Sequence, residues 1–123
     1  MNTTWKPVEE AWIKSDIEEQ LWLLKDPQKA LWEMIKVEPQ KWRQLPWGDE
    51  GNGFYVVAVF GSQVLWYNDI EDGYNISSFT EFGVIDEYYC NQNELHHSIN
   101  YVYDKLQAHN QRGPVLRCAP GIF

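Results

Sequence analysis

Between Phe54 and Phe82 the chain reads FYVVAVFGSQVLWYNDIEDGYNISSFTEF, and the two turn signals inside that stretch leave little choice of fold. Phe54 to Phe60 is a continuous apolar run rich in β-branched and aromatic side chains, the composition of a strand covered on both faces. Gly61-Ser62 interrupts it and an apolar run resumes at Val64-Leu65-Trp66-Tyr67, so a Gly-led pair joins two strand-like segments as a hairpin. Glu71-Asp72-Gly73-Tyr74 repeats the device, because Asp-Gly offers the positive φ that a primed turn needs. Asn75 to Phe82 then alternates apolar and polar residues, which predicts a three-stranded antiparallel meander with its third strand the most exposed. Gly83 breaks the pattern, and Val84-Ile85 with Tyr88-Tyr89 supply material for a fourth, irregular strand.

The segments on either side have helical spacing and look built to cover that sheet. After a frayed start at Met1 to Lys6, Val8, Ala11 and Trp12 recur at intervals of three and one from Pro7 onward, with Glu9 and Glu10 in the first turn, where the helix dipole favours acids. Ser15-Asp16-Ile17-Glu18 has capping-box form. Lys14 to Asp16 is therefore either a break before a second helix that turns Ile17, Leu21, Trp22 and Leu24 inward, or a polar turn of one longer helix. Asp26-Pro27 opens a further helix, with Ala30, Leu31, Met34 and Ile35 along one face. Val37 to Gly53 is punctuated by Pro39, Pro46, Gly48 and Gly51 and reads as one helical turn or as an edge strand holding Trp42 and Leu45. Its last part, Gly48 to Gly53, is a glycine-rich acidic connection without the Lys that a phosphate cradle needs. Beyond the meander, Asn91-Gln92-Asn93-Glu94 again has capping form, and Leu95, Ile99, Val102 and Leu106 follow at intervals of four, three and four. This predicts an amphipathic helix of about four turns packed on the sheet, ended by Gly113-Pro114, with an apolar tail from Val115 to Phe123 suited to docking. The expected fold class is α+β: N-terminal helices, an antiparallel β-meander of three to four strands, and a C-terminal amphipathic helix on the sheet.

At 123 residues, 44% hydrophobic and with 7 Trp, the chain has material for one domain, 1–123, around one core, with no need of a metal or disulfide. Cys90 and Cys118, in a chain without a signal-peptide pattern, read as free thiols of a reducing cytoplasm, a single bridge between them being the alternative. No apolar run approaches the ~20 residues of a membrane helix, which points to a soluble protein with no membrane role. The net charge of −8 is unevenly placed. Up to Arg43 there are 7 basic and 8 acidic residues, from Asp49 to Asp104 there are 10 acidic and no basic ones, and from Lys105 there are 3 basic and no acidic ones. The sheet region is thus an acid block, whose field repels phosphate backbones and anionic lipids and attracts basic proteins. Nucleic acid is excluded as the expected partner.

Site chemistry is sparse. Asp69-Ile70-Glu71-Asp72-Gly73 resembles the opening of a calcium loop, but its glycine is fifth instead of sixth and Thr80 stands at the twelfth position where a bidentate Glu belongs. A solvated turn is the better reading, with Asn68 and Asp69 bracing it through side-chain to backbone hydrogen bonds. Cys90, His96 and His97 lie close in sequence, but a zinc site needs further ligands at regular spacing and only His109 and Cys118 remain. Nothing local activates either thiol as a nucleophile. No catalytic residue, metal or cofactor is expected. Trp12, Trp22, Trp32 and Trp66 fall among other apolar residues and read as core, whereas Trp42 and Trp47, flanked by Lys41, Arg43, Pro46 and Gly48, are the tryptophans most open to partial exposure, a core position being the alternative for them too.

In size, acidity and helix-then-meander order the chain resembles the small cytoplasmic immunity proteins of bacterial toxin systems. The segments PWGDEGNGFYVVAVFG and LWYNDIEDGYNIS are also similar to a family of small uncharacterised bacterial proteins. The expected function is a non-enzymatic protein-binding module. In it Asp69, Glu71, Asp72, Asp86 and Glu87 meet a basic protein partner from an acidic sheet surface, and Trp42 or Trp47 anchors the contact. The alternative is a small-molecule binding domain or modest enzyme, with an aromatic-walled pocket on which Tyr67, Asn68 and His97 converge.

Overall fold

The computed structural model describes residues 6–44 and 53–111, without the side chains of 109–111. The elements run α1 (Glu10–Leu21), α2 (Asp26–Ile35), β1 (Lys36–Trp42), β2 (Phe54–Phe60), β3 (Gln63–Asn68), β4 (Gly73–Ser78) and α3 (Leu95–Gln111), the α+β order expected. The strands form one antiparallel sheet in the order β1-β2-β3-β4. The fourth strand is therefore the N-terminal β1, the edge-strand alternative, and Pro39 confines it to an edge because it has no N–H to give an outer neighbour. Val84 makes only an isolated bridge to Arg43, and Tyr88 and Tyr89 belong to no strand. Residues Met1 to Trp5, Leu45, the connection from Pro46 to Asn52, the Gly113-Pro114 stop and the tail from Val115 lie outside the described residues.

α1 is a single helix. The Ser15-Asp16 pair does not open a second one, because the Asp16 carboxylate accepts a hydrogen bond from the Tyr74 hydroxyl at 2.7 Å and so serves the sheet instead of a helix end. Ile13 is fully buried, with Ile17 and Leu21 packed beside it, but Trp12 and Trp22 are 45% and 84% exposed, contrary to the core role expected of them. The buried stripe of α2 is rotated by one position from the expected one: Trp32 and Ile35 are buried, Ala30 is exposed and Met34 is 82% exposed. In α3, Leu95, Ile99 and Val102 are buried as expected and Leu106 is not. The helix begins at Leu95, because the backbone ahead of it, at Asn91 and Asn93, is held by the sheet.

β2 and β3 pair through the Gly61-Ser62 turn, where Gly61 takes φ +62°. In the second hairpin the positive φ falls on Asp72, at 60°, and not on Gly73. Gly73 is required for another reason: a Cβ there would lie 2.1 Å from the carbonyl oxygen of Asn91. A bulge between Val56 and Ala58 turns Val57 and Ala58 to the same face. That face carries the helices, over a core of Ile13, Trp32, Leu65, Tyr74, Leu95 and Ile99. The opposite face is covered too, by residues 79–93, which form a strap around a second core of Trp42, Phe54, Val56, Val64, Trp66 and Ile85. Consecutive N–H groups of the strap, those of Ile85 and Asp86, donate to Arg43 O at 2.8 Å and Ser78 O at 3.0 Å. These acceptors stand at diagonal corners of the sheet, so the sheet is strongly twisted, and the bulges add to that twist.

The strap then runs along the outer edge of β4. Asn75 meets the backbone of Asn91 as another strand would, its amide nitrogen donating to Asn91 O at 3.1 Å and its oxygen accepting from Asn91 N at 3.0 Å. Tyr74 N donates to Asn93 O at 2.9 Å. With α3 on one side and the strap on the other, β4 is buried along most of its length instead of being the most exposed strand.

Candidate functional site

The turn between β3 and β4 is locked from inside. Asn68 is fully buried, and its side-chain oxygen accepts from the N–H groups of Ile70 and Glu71 at 3.0 and 3.1 Å while its amide donates to Tyr89 O at 2.9 Å. Gln92 Nε2 donates to Glu71 O at 3.0 Å, and the Tyr67 hydroxyl donates to Asp72 Oδ1 at 3.3 Å. These bonds fix the backbone of the turn and leave the Asp72 side chain exposed and that of Glu71 half-buried. Burial raises the pKa values of Tyr67 and Tyr74, and the carboxylates of Asp72 and Asp16 push each further up, so both phenols stay protonated donors.

The expected partner-binding residues do not form one surface. Asp69 is 7% exposed, and its carboxylate accepts from Val8 N, in the segment ahead of α1, at 3.0 Å. Burial raises its pKa, against the lowering effects of that bond and of Lys41. Buried there, it braces the fold. Trp42 is 1% exposed, packed edge-on against Phe79 and tilted against Phe82, so it anchors the second core and no surface contact. The cause is the strap, a tertiary cover invisible from the polar neighbours Lys41 and Arg43. Trp47 lies outside the described residues. Asp86 and Glu87 sit at the other end of β4 from the turn. Asp86 accepts from Thr80 at 3.0 Å, and Glu87 takes hydrogen bonds from the Ser78 backbone at 2.8 Å and from the Ser78 hydroxyl. The sheet has no bare acidic face. Four carboxylates remain along one edge instead, Glu71 and Asp72 at one end of β4 and Asp86 and Glu87 at the other.

Beside Asn75 and Ile76 of β4 lies a half-open trough of about 670 Å³. One wall is the His97, Tyr101 and Lys105 stripe of α3, and the other is Tyr89, Asn91 and Asn93 of the strap. A second hollow of about 410 Å³ shares Phe60, Gln63, Val102 and Leu106 with it and extends it to Ser78, where the Glu87 carboxylate is bound. No aspartate or glutamate lines either hollow. Tyr89 and Tyr101 are 44% and 56% exposed, and Lys105 lies over the Tyr101 ring at 5.6 Å. The three residues expected to converge on a pocket do not do so: Tyr67 and Asn68 are held in the turn, and only His97 reaches the trough. The trough residues were legible in part, since positions 97, 101 and 105 form a stripe at four-residue intervals beside the apolar one. Asn91 and Asn93 were masked by their likeness to a helix cap.

The His96 and His97 rings lie with centroids 4.1 Å apart, tilted by 46°, and His96 Nδ1 lies 2.6 Å from Gln20 Oε1, tying α3 to α1. Burial, and then the charge of His97, lower the pKa of His96. Among the described residues no three His, Cys, Asp or Glu side chains gather as a metal site, Cys90 is an exposed free thiol, and no helix is long and apolar enough to cross a membrane. Cys118 and the His109 side chain lie outside the description. No family model, curated protein or solved structure matches the chain.

Proposed function

We propose that the chain is a non-enzymatic protein-binding module of the bacterial cytoplasm, of the immunity type, which meets a basic protein partner along the acidic edge at β4. One observation carries this reading: Glu71 and Asp72 stand on a turn that buried Asn68 holds from within. A turn whose backbone is already fixed loses little freedom on binding, so more of the attraction of its carboxylates for a cation appears as affinity. The charge is also left available. Asp72, Asp86 and Glu87 accept hydrogen bonds from neutral hydroxyl and backbone donors, and the chain from Asp49 to Asp104 contains no cation. Long-range attraction of that kind speeds encounter with a basic surface and weakens with salt.

The test is affinity capture from the native host with the wild-type chain and with E71Q/D72N, at low and at high salt. A basic protein held by the wild type at low salt, released at high salt and not held by the variant is the expected result. Capture that ignores both salt and the substitutions, or no capture at all, would overturn the reading.

A further inference from the structure

The outward face of α2 carries an apolar line that no described element covers. Pro27, Ala30 and Met34 follow at intervals of three and four, so they lie along one face of the helix, with Leu31 half-buried beside them. All three are exposed, Met34 at 82%. We infer that two copies of the chain pair through this face, their α2 helices antiparallel about a twofold axis at Leu31. The inference goes beyond the protein-binding reading and makes no use of the acids at β4.

The occupant follows from charge. Beside the apolar line runs a second one of Asp26, Lys29, Glu33 and Lys36, all exposed, at intervals of three, four and three. Their signs alternate, and positions 26 and 36, like 29 and 33, are equidistant from 31. An antiparallel copy inverts the order, so each lysine stands opposite an acid, whereas a parallel copy in register sets like against like. Lys36 Nζ lies 2.8 Å from Glu33 Oε1 within the chain, so pairing closes these charges into a network instead of isolated pairs. The same arrangement seats Met34 of each copy between the partner's Pro27 and the partner's Leu31, a gap that its unbranched thioether can fill. Net charge points to the same place. At −8 two copies repel as wholes, but the segment from Lys25 to Lys36 holds three lysines against two acids, so it is a part of the surface that a second acidic molecule can approach. A face of 10 helical residues, about 15 Å long, covers less than the roughly 800 Å² per partner of a standard interface, so the dimer dissociates on dilution.

Sedimentation equilibrium of the full chain from micromolar to millimolar concentration reads the pairing, and amide shifts over the same dilution series map it. A monomer–dimer equilibrium is expected, with the shifts confined to 25–36. M34E sets a carboxylate into the apolar gap of both copies and is expected to weaken pairing about tenfold or more. K29E leaves only acids at positions 29 and 33, and E33K leaves only lysines there. Each alone is expected to pair about tenfold more weakly than wild type, and an equimolar mixture of the two to pair as wild type does, since every acid then meets a lysine again. Circular dichroism of each variant separates lost pairing from lost folding, and should M34E fold poorly, the exposed charge pair carries the test. A chain that stays monomeric throughout, pairing that survives M34E, a mixture that recovers nothing, or dilution shifts outside 25–36 would each overturn the inference. So would a host protein held by the monomer and released by M34E, which would assign the face to that protein.

Discussion

Residue chemistry alone would place the tryptophans wrongly in this protein, and the inversion has measurable consequences. Trp42 has Lys41 and Arg43 as neighbours, yet it is 1% exposed, with its indole N–H donating to Gln40 Oε1 at 3.0 Å and its ring between Phe79 and Phe82. Trp22 has Leu21, Leu23 and Leu24 as neighbours, yet it is 84% exposed, with Lys29 at 6.0 Å from its ring. Replacing a large buried aromatic by alanine costs the transfer of its surface and leaves a cavity, so Trp42→Ala is expected to lose about 3–5 kcal/mol of stability. Trp22→Ala removes a side chain already in water and is expected to stay within about 0.5 kcal/mol of wild type. Urea unfolding of the two variants decides the matter, and equal losses would mean that the second core does not depend on Trp42.

Among the elements, β4 best separates what local sequence encodes from what it does not. The hairpins were legible because each is written within a few residues: Gly61-Ser62 between two apolar runs, and Asp72-Gly73 at the second turn. The fate of the outer strand was not, because its cover comes from residues 79–93, which carry no periodic pattern, and because Asn75 acts there as a piece of backbone. The same limit hid the site, since Asp69 and Asp72 look alike in sequence and are separated only by the N–H of Val8, 61 residues away, which draws one of them inward. The Asn75 side chain allows a discriminating test. Asn75→Ala leaves the Asn91 N–H and C=O without partners and is expected to cost about 2 kcal/mol. Asn75→Asp is nearly the same size and keeps the acceptor for Asn91 N, but it sets a carboxylate against the carbonyl oxygens of Gly73 and Asn91. It should therefore be worse than alanine above the carboxylate range and approach it as the pH falls and the acid protonates. Thermal unfolding from neutral to acid pH reads the order, and an aspartate variant as stable as wild type at neutral pH would remove the mimicry.

At the scale of the whole molecule, a sheet of four strands is closed on both faces, once by helices and once by a segment without regular structure. Both edges of the sheet are blunted, by Pro39 in β1 and by the strap along β4, so among the described residues the sheet offers neither a bare face nor a free edge strand to another chain. Along the β4 edge the molecule carries the carboxylates of Glu71, Asp72, Asp86 and Glu87. That edge keeps its shape only while the strap stays down, because Glu87, Tyr89, Asn91 and Gln92 all hold it through the strap. The fastening is at the diagonal corners, where Ile85 N and Asp86 N donate to Arg43 O and Ser78 O beneath a fully buried Ile85 side chain. Irregular segments commonly open at little cost, whereas this one cannot lift without exposing Trp42, Trp66 and Phe54 to water. The amides of Ile85 and Asp86 should therefore exchange with solvent within about tenfold of the ladder amides of β2 and β3, and Ile85→Ala should speed their exchange by well over tenfold while the amides of α3 change less. Native-state hydrogen exchange measures both. If the two amides exchanged at the rate of an open loop in the wild type, the strap would be a lid over the second core instead of its wall, and the acid pairs at the two ends of β4 would have no fixed spacing to offer a partner.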